Sequence, residues 1–359
     1  MKYLFITQTL GEGGAERMVS RLATALTNLK HEVHIILSYK IEDEYETKCT
    51  NVHYVANNKH NYNSLNRLKR VFKIRQFINS IHPDVIIPFM EHICKYAIYS
   101  TILSKYRKKI IITIRDNPEL WNRHSLFKLL HKSKLCVTQN EGQKSFFPES
   151  LRKKIVVIPN FIDDDLFEYK KEYHNKIHKI ISVGRLVDQK NYNLLLEAIN
   201  ICKNLDIQLT IYGNGPLKSE IQSKIAYYNL ENKVFLEKFT RNINEKYLQS
   251  DLYVMSSNFE GMPNTLLEAS ALGLPIISTN CHFGPSDIIT NGVNGILVPC
   301  NDAKKLATAI KYLVENHKIA NNFGKNGKVM MKEKYSKDRI VSKWEKLPLL
   351  IRESSGVKL

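Results

Sequence analysis

Short apolar runs alternate with stretches of helical spacing along most of this chain. Such an alternation predicts buried strands that are connected by helices, as in a parallel sheet covered on both faces. In the first half, the apolar runs lie at residues 2–9, 32–37, 84–89, 109–114, 135–138 and 155–158. In the second half, they lie at residues 179–183, 208–213, 234–239, 251–255, 275–278 and 295–299. The pattern predicts an α/β protein with two Rossmann-like, doubly wound parallel-sheet domains that face each other across a cleft.

The length of 359 residues exceeds one ordinary hydrophobic core, so two domains of about 170 residues each are expected. We place the first domain at residues 1–165 and the second at 166–335, with the polar stretch 167–179 as a linker. The last helical pattern, at 336–351, must pack elsewhere than on its own sheet. We expect the segment 336–359 to pack back on the first domain.

Two acids, Glu260 and Glu268, lie in a strand–loop–helix stretch at residues 251–272. A loop of this kind lies at the carboxyl edge of a parallel sheet, where α/β folds bind ligands, and the helix start offers free N–H groups to an anion. The acids would lie roughly 12 Å apart at 1.5 Å rise per residue, which suits two ends of one extended ligand. The ordinary alternative is two solvated surface acids. Because residues 251–303 contain no Lys or Arg in so basic a chain, we favour a binding site.

A second loop, at residues 184–190, also connects a predicted strand to a helix. It begins with Gly184 and Arg185 and ends at Lys190. Both cations and the N–H groups of the following helix can face one point, an arrangement that suits a diphosphate. Cations in surface loops are common, so this pattern alone has little specificity.

Glycine-rich turns join strand to helix at residues 11–14 and at Gly213, which lets the backbone approach a phosphate or a sugar closely. The first turn differs from the dinucleotide-binding fingerprint, because Glu16 occupies the position of the third glycine. A nicotinamide-dependent enzyme is therefore disfavoured.

The net charge of +18 indicates an anionic partner: nucleic acid, an anionic membrane surface or a phosphorylated small molecule. A Lys-rich codon usage of the source organism is an alternative explanation. The predicted helix 64–81 is especially basic, and no acid occurs between Glu46 and Asp84. Its apolar residues at 65, 68, 72, 78 and 81 repeat at helical spacing. The helix is interpreted equally well as a core-packed helix with a solvated face or as one that docks on anionic lipid. The docking residues would be Arg67, Lys69, Arg70 and Lys73.

No run approaches the roughly 18 apolar residues of a membrane-spanning helix, and the first residues lack the pattern of a signal peptide. The six cysteines are scattered, without CxxC spacing or neighbouring histidines, as expected for reduced thiols in a cytosolic protein rather than for zinc ligands. We therefore expect a cytoplasmic protein without structural zinc.

Five segments, in order along the chain, resemble the retaining nucleotide-sugar glycosyltransferases of the GT-B fold, specifically family 4. They are GEGGAERMVSRLATAL at 11–26, SVGRLVDQKNYNLLLEAI at 182–199, YGNGP at 212–216, FEGMPNTLLEASALGLPIIST at 259–279 and GVNGILVP at 292–299. Many relatives have Phe-Gly after the first acid, where this chain has Gly261 and Met262. That variant, together with the polar loop 113–118 and the stretch 280–286, resembles members that build bacterial surface polysaccharides and glycans.

The resemblance implies roles for individual residues. Glu260 would contact hydroxyls of the donor sugar, and Glu268 would hold the ribose hydroxyls of the nucleotide. Arg185 and Lys190 would clamp the diphosphate and stabilise the leaving charge. The implied donor-binding set is completed by Gly14, Gly184, Gly213, Gly261, Met262, Pro263 and the helix-start amides of Asn264 and Thr265.

On the acceptor side, Arg115, in the polar loop 113–118, is a candidate. Glu91 and His92 follow a strand near the place where the family often keeps a polar acceptor group, although a surface loop pair is an equally good interpretation. No metal is implied, because cations and the helix dipole neutralise the diphosphate.

The leading hypothesis is a retaining transferase that moves a hexose or N-acetylhexosamine from a UDP-sugar to a lipid-linked or polysaccharide acceptor. It would be peripheral on the inner face of the plasma membrane. One alternative is a sugar-nucleotide epimerase of the same fold, which the placement of the two acids disfavours. A nucleotide-sensing module is another. A nucleic-acid-binding protein is disfavoured because the cations cluster on one helix and one loop rather than alternating with aromatic residues along a groove.

Overall fold

The computed structural model describes residues 1–11, 13–57 and 64–353. Glu12 of the predicted glycine turn and residues 354–359 of the predicted terminal segment lie outside the described residues. The described chain divides into two compact units. Unit 1 contains Met1–Asn160 together with the chain from Asp338 onward, and unit 2 contains Phe161–Lys337.

Unit 1 has two parallel sheets, with strand orders β3-β2-β1-β4 and β5-β6-β7. A parallel bridge between Ile86 and Ile110 joins the last strand of the first sheet to the start of the second. Six strands match the predicted runs, and β3 was missed because its half-buried residues alternate with polar ones. The strands are β1 (Lys2–Thr7), β2 (Glu32–Tyr39), β3 (Asn51–Ala56), β4 (Val85–Pro88), β5 (Ile111–Thr113), β6 (Leu135–Thr138) and β7 (Ile155–Val157).

The helices before the unit boundary follow the strands as crossovers, as a parallel sheet requires. They are α1 (Gly14–Asn28), α2 (Ser64–Ile81), α3 (Glu91–Ser100), α4 (Arg123–Lys132), α5 (Glu141–Ser145) and α6 (Glu149–Arg152). The apolar residues of β1, β4 and β5 pack against α2, α3 and α4 in one continuous core.

Unit 2 has one parallel sheet of six strands in the order β10-β9-β8-β11-β12-β13. All six correspond to predicted apolar runs. The central strands β8, β11 and β12 are buried almost throughout, whereas the edge strand β10 is partly exposed. The strands are β8 (Lys179–Val183), β9 (Gln208–Tyr212), β10 (Val234–Glu237), β11 (Leu252–Met255), β12 (Ile276–Thr279) and β13 (Ile296–Val298).

The remaining helices belong to unit 2 except for the last. They are α7 (Asp165–Glu168), α8 (Tyr192–Ile201), α9 (Lys218–Tyr227), α10 (Ile243–Leu248), α11 (Asn264–Ala271), α12 (Pro285–Ile288), α13 (Ala303–Glu315), α14 (His317–Tyr335) and α15 (Lys337–Glu353). From residue 338 on, α15 packs in unit 1: the Trp344 ring stacks 6.3 Å from that of Phe89, and Glu345 Oε1 lies 2.8 Å from His31 Nε2.

The boundary between the units lies at residues 160–161, earlier than the predicted 165–166. Phe161 is buried, and Ile162 N–H donates to the Tyr335 carbonyl at 2.8 Å, which ties the segment to α14. The polar stretch predicted as a linker is also packed, since the Tyr173 hydroxyl donates to the Gly273 carbonyl at 3.0 Å. Charged residues in this stretch hid those anchoring contacts from the sequence pattern.

Candidate active site

Two loops meet at the carboxyl edge of the unit 2 sheet. One follows β8 and runs to α8, and the other follows β11 and runs to α11. Strands β8 and β11 are paired in parallel, with Ile180 opposite Leu252, so the loops leave the sheet side by side. This is the edge at which α/β sheets bind ligands.

Hydrogen bonds tie the two loops together. Asn258 N–H donates to the Gln189 carbonyl at 2.8 Å, and its side-chain amide donates to the Asp188 carbonyl at 2.9 Å. The Ser256 hydroxyl donates to the Lys190 carbonyl at 2.9 Å. The side chains of both loops are therefore held in one frame.

A buried ion pair lies at the centre of this frame. Lys190 Nζ lies 2.6 Å from Glu260 Oε1, which also accepts from the Ser257 hydroxyl at 2.7 Å. Glu260 is 5% exposed. A charge at that depth requires a partner, because an unpaired buried ion loses its hydration without compensation. Folding thus brings together two residues that are 70 positions apart in sequence, and the interpretation of Glu260 as a solvated loop acid is wrong.

Gln189 was missed by the sequence analysis, although it lies between two predicted cations. Its side-chain amide donates to the Phe259 carbonyl at 3.1 Å and lies 3.4 Å from Glu260 Oε2. Its Oε1 lies 3.4 Å from Arg185 Nη2. Arg185 is exposed, so Gln189 connects a solvent-facing cation to the buried carboxylate.

Glycine is required where the loops leave the sheet. A Cβ at Gly213 would lie 1.9 Å from the Gly184 carbonyl oxygen, and one at Gly184 would lie 3.0 Å from Lys190 Cε. Gly284, which the sequence analysis missed, has φ +91° and leaves 2.7 Å between a would-be Cβ and the Gly261 carbonyl oxygen. Gly284 therefore packs closely against the turn at residues 261–263 that precedes α11.

Helix α11 begins at Asn264, after Pro263 at the cap position, so its first N–H groups lie beside the Glu260 loop. Thr265 Oγ1 accepts from the Tyr253 hydroxyl at 2.9 Å, which anchors the helix start to the strand below. Glu268 lies within α11 and is 3% exposed, so it is not a surface acid. Burial raises the Tyr253 pKa, and the charges of Glu260 and Glu268 raise it further.

At the carboxyl edge of β5–β7 in unit 1, Arg115 lies against an amide cluster. Its Nη2 donates to Asn160 Oδ1, which also accepts from the Gln139 amide at 3.1 Å, and its guanidinium lies 5.4 Å from the centre of the Phe89 ring. Burial lowers the Arg115 pKa to about 9. Its Nε and Nη1 have no hydrogen-bond partner among the described residues.

Asp116 was missed as a site residue. Its Oδ1 accepts from Trp121 Nε1 at 2.7 Å. Solvent reaches the residue, yet the surrounding protein desolvates the carboxylate enough to raise its pKa to about 6.

The other donor- and acceptor-side residues predicted in unit 1 lie at the starts of two helices. Glu91 and His92 begin α3 rather than lying in a loop, and Glu91 pairs with Lys95 at 2.6 Å. Burial lowers the His92 pKa. Gly14 is the first residue of α1.

On α2, the predicted basic group is divided. Arg67, Lys69 and Lys73 are exposed, but Arg70 is buried with its guanidinium 5.2 Å from the centre of the Tyr96 ring, so it does not belong to an exposed basic face. Throughout the part of the chain that the structure describes, no helix is both long and apolar enough to cross a membrane. Nor do three or more potential metal-ligating side chains converge anywhere in that part.

Two parallel-sheet units of this kind are the architecture of the GT-B fold. The model of Glycosyltransferase Family 4 matches residues 12–166, and that of Glycosyl transferases group 1 matches residues 165–330. The chain belongs to the family 4 (group 1) glycosyltransferases, which transfer sugars from nucleotide sugars. Within this family it belongs to the hexosyl- and N-acetylhexosaminyltransferase class.

Some relatives are similar over nearly the whole chain. The Amylovoran biosynthesis glycosyltransferase AmsD of Erwinia amylovora is 26% identical over 92% of this chain and 95% of its own. The GalNAc-alpha-(1->4)-GalNAc-alpha-(1->3)-diNAcBac-PP-undecaprenol alpha-1,4-N-acetyl-D-galactosaminyltransferase of Campylobacter jejuni is 27% identical over 97% of this chain and 98% of its own. The crystal structure of Anabaena Alr3699/HepE in complex with UDP and glucose has a TM-score of 0.82 at 18% identity, covering 96% of this chain and 98% of that one. This last similarity concerns the fold alone.

Proposed function

We propose that the chain transfers a hexose or N-acetylhexosamine from a UDP-sugar, with retention of anomeric configuration, to a lipid-linked or polysaccharide acceptor. The product would contribute to a bacterial surface polysaccharide, at the cytoplasmic face of the plasma membrane. The observation that carries the proposal is the buried Lys190–Glu260 pair at the sheet edge. The names of the relatives support it, since one acts in amylovoran biosynthesis and another on an undecaprenol diphosphate-linked glycan.

In this proposal Glu260 orients the donor sugar. Its Oε1 holds Lys190 and Ser257, while Oε2 makes only a long contact of 3.4 Å with Gln189 and retains capacity to accept from a sugar hydroxyl. Glu268, further along α11, would accept from the ribose hydroxyls.

The diphosphate would lie between the β8 loop and the start of α11. Lys190 Nζ has three donors and gives one to Glu260, so two remain for phosphate oxygens. Arg185 and the N–H groups of Asn264 and Thr265 would add positive potential where charge develops as the glycosyl–phosphate bond breaks. Gly14, Gly184, Gly213, Gly261, Met262 and Pro263 would shape the backbone around the donor.

The acceptor hydroxyl would attack from the face that the diphosphate leaves, and the departing phosphate would take the proton. On the acceptor side we propose Arg115, with Glu91 and His92, and we add Asp116. No metal or other cofactor enters this proposal, since protein cations and helix N–H groups neutralise the leaving diphosphate.

The proposal is tested with the purified full chain and a panel of UDP-GalNAc, UDP-GlcNAc, UDP-glucose, UDP-galactose and GDP-mannose, with and without a chelator. We expect one UDP-sugar to raise the melting temperature and to release UDP slowly in the absence of acceptor. The chelator should leave both readouts unchanged. Loss of UDP release with chelator would refute the metal-independent step, and stabilisation by GDP-mannose alone would refute the UDP donor.

A further inference from the structure

Helix α2 has two apolar stripes on opposite sides. Ile74, Ile78 and Ile81 are buried in the core of unit 1. Leu65, Leu68 and Phe72 form a second stripe and are 66%, 58% and 66% exposed. At 100° per residue, the centres of the two stripes lie about 145° apart around the helix. A helix on the surface of a globular protein ordinarily has one apolar stripe, which faces the core, so core packing explains only the first.

The end of α3 extends this apolar surface. The Ser100 hydroxyl donates to the Val71 carbonyl at 3.0 Å, and Arg75 Nη1 donates to the Ile102 carbonyl at 3.2 Å, which holds the turn after α3 along one flank of α2. In that turn Ile102 is exposed, and Leu103 is 99% exposed with φ +56°. A bulky residue in the left-handed region is unusual, and here the strained turn directs a leucine fully into solvent.

Cations border the apolar residues. On α2, Lys69 and Lys73 lie on the flank away from α3, and both are exposed. Beyond Leu103, Lys105 and Lys108 are exposed as well. No acid occurs from residue 47 to residue 83. Long basic side chains can lay their methylene stems beside apolar groups while their charges reach an anionic layer above.

We propose that these residues form a lipid face that docks on an anionic bilayer. The lipid face comprises Leu65, Leu68, Phe72, Ile102 and Leu103 together with Lys69, Lys73, Lys105 and Lys108. The apolar residues enter the boundary between headgroups and acyl chains, and the lysines bind anionic headgroups around them.

Charge complementarity selects this partner over others. Protein–protein interfaces are depleted of lysine, and nucleic-acid surfaces present no apolar layer for exposed leucines. The lipid face deepens the proposed function, because a lipid-linked acceptor would lie in the surface that this face contacts. For the identity of the acceptor, it rests on that proposed function. Docking itself requires no sugar transfer.

The test is co-sedimentation of the full chain with phosphatidylcholine vesicles, with and without phosphatidylglycerol, at low and high salt. We expect binding to the anionic vesicles that salt weakens. The variant L68Q/F72Q should bind at least roughly tenfold more weakly, because two exposed side chains lose their apolar insertion. K69Q/K73Q should lose about fivefold per cation.

Matched controls come from exposed residues of unit 2. Tyr227→Gln removes an exposed aromatic ring, and K332Q/K334Q removes two exposed lysines from α14. Both should bind vesicles as the unaltered chain does. All variants should retain their melting temperature and UDP-sugar hydrolysis, which separates failure of docking from failure of the proposed reaction.

Three outcomes would overturn the lipid face. The first is equal binding by L68Q/F72Q and the unaltered chain, and the second is equal binding to vesicles with and without anionic lipid. The third is a concentration-dependent dimer that L68Q/F72Q dissociates while vesicle binding stays unchanged, which would assign the apolar stripe to a second copy of this chain.

Discussion

Each unit has a half-buried cation at the carboxyl edge of a sheet, and the two cations are compensated differently. In unit 2, Lys190 lies 2.6 Å from Glu260 within loops that hydrogen bonds hold together. In unit 1, Arg115 contacts the amide oxygen of Asn160 and the face of Phe89, and among the described residues no carboxylate forms an ion pair with it. Burial therefore lowers the Arg115 pKa to about 9.

The difference indicates how each edge would meet a ligand. In unit 2, Lys190 and Glu260 neutralise each other before any donor binds. Their side chains are therefore pre-oriented, and donor binding should require little reorganisation of the site. In unit 1, Arg115 has no ion-pair partner among the described residues, so an anionic group of an acceptor would supply one.

The largest effect is expected from a substitution in the Lys190–Glu260 pair of unit 2. Glu260→Gln keeps the shape of the side chain but removes the charge that holds Lys190 and orients the sugar. We expect turnover of the UDP-sugar to fall by roughly two to three orders of magnitude, the usual cost of losing a group that acts on the reacting centre. Steady-state UDP release measures it.

Glu245→Gln is the matched control, because Glu245 is an exposed acid of the same unit. Glu260→Ala is a poorer probe than Glu260→Gln, since it also removes the oxygen that accepts from Lys190 and from the Ser257 hydroxyl, whereas Gln keeps an amide oxygen. Normal turnover by Glu260→Gln would refute the assignment of the donor site.

Substitutions of Lys190 and Arg185, which lie in one loop, should have different effects on stability. Lys190→Met leaves Glu260 buried without its cation, and we expect a loss of about 3 kcal/mol of unfolding free energy together with the loss of turnover. Arg185→Met should lower turnover about tenfold or more at unchanged stability, because Arg185 is exposed. Denaturant unfolding and UDP release measure the two effects, and equal destabilisation by both variants would contradict the buried pair.

A smaller effect is expected at the carboxyl edge in unit 1, where replacing Arg115 should not destabilise the protein. Arg115→Met removes a desolvated charge, and Asn160 Oδ1 still accepts from Gln139, so stability should be unchanged or rise by about 1 kcal/mol. Transfer to the acceptor should fall, while hydrolysis of the UDP-sugar in its absence persists. Arg107→Met, elsewhere in unit 1, is the control for transfer. A parallel loss of hydrolysis and transfer would remove Arg115 from the acceptor side.

The smallest effect is a pH dependence at Asp116. Its folded-state pKa of about 6 lies above the ordinary value of 3.8, so the folded state binds the proton more tightly. The stability of the unaltered chain should therefore fall relative to Asp116→Asn as pH rises through this interval, and the difference should stay constant above it. Melting temperatures of both proteins across this range measure it. A difference that does not change with pH would contradict the raised pKa.

Much of the fold followed from local patterns. The six strands of unit 2 were all predicted, because each contains a short apolar run and the central strands β8, β11 and β12 are buried almost throughout. Strand β3 was missed, since half-buried edge residues alternate weakly with polar ones. The boundary at residues 160–161 differs from the predicted 165–166, because the contacts of Ile162 and Tyr173 with distant residues leave no local signal.

By itself, the sequence determined the α/β class, the family resemblance and the residue types of the donor loops, because these depend on local periodicity and short motifs. Only the tertiary structure decided which charges are buried and paired. It placed Lys190 against Glu260, brought Gln189 between Arg185 and that carboxylate, and buried Arg70 while exposing Leu68 and Phe72. Burial and pairing depend on neighbours far apart in the chain, and helical spacing alone does not say which of two apolar stripes will face the core.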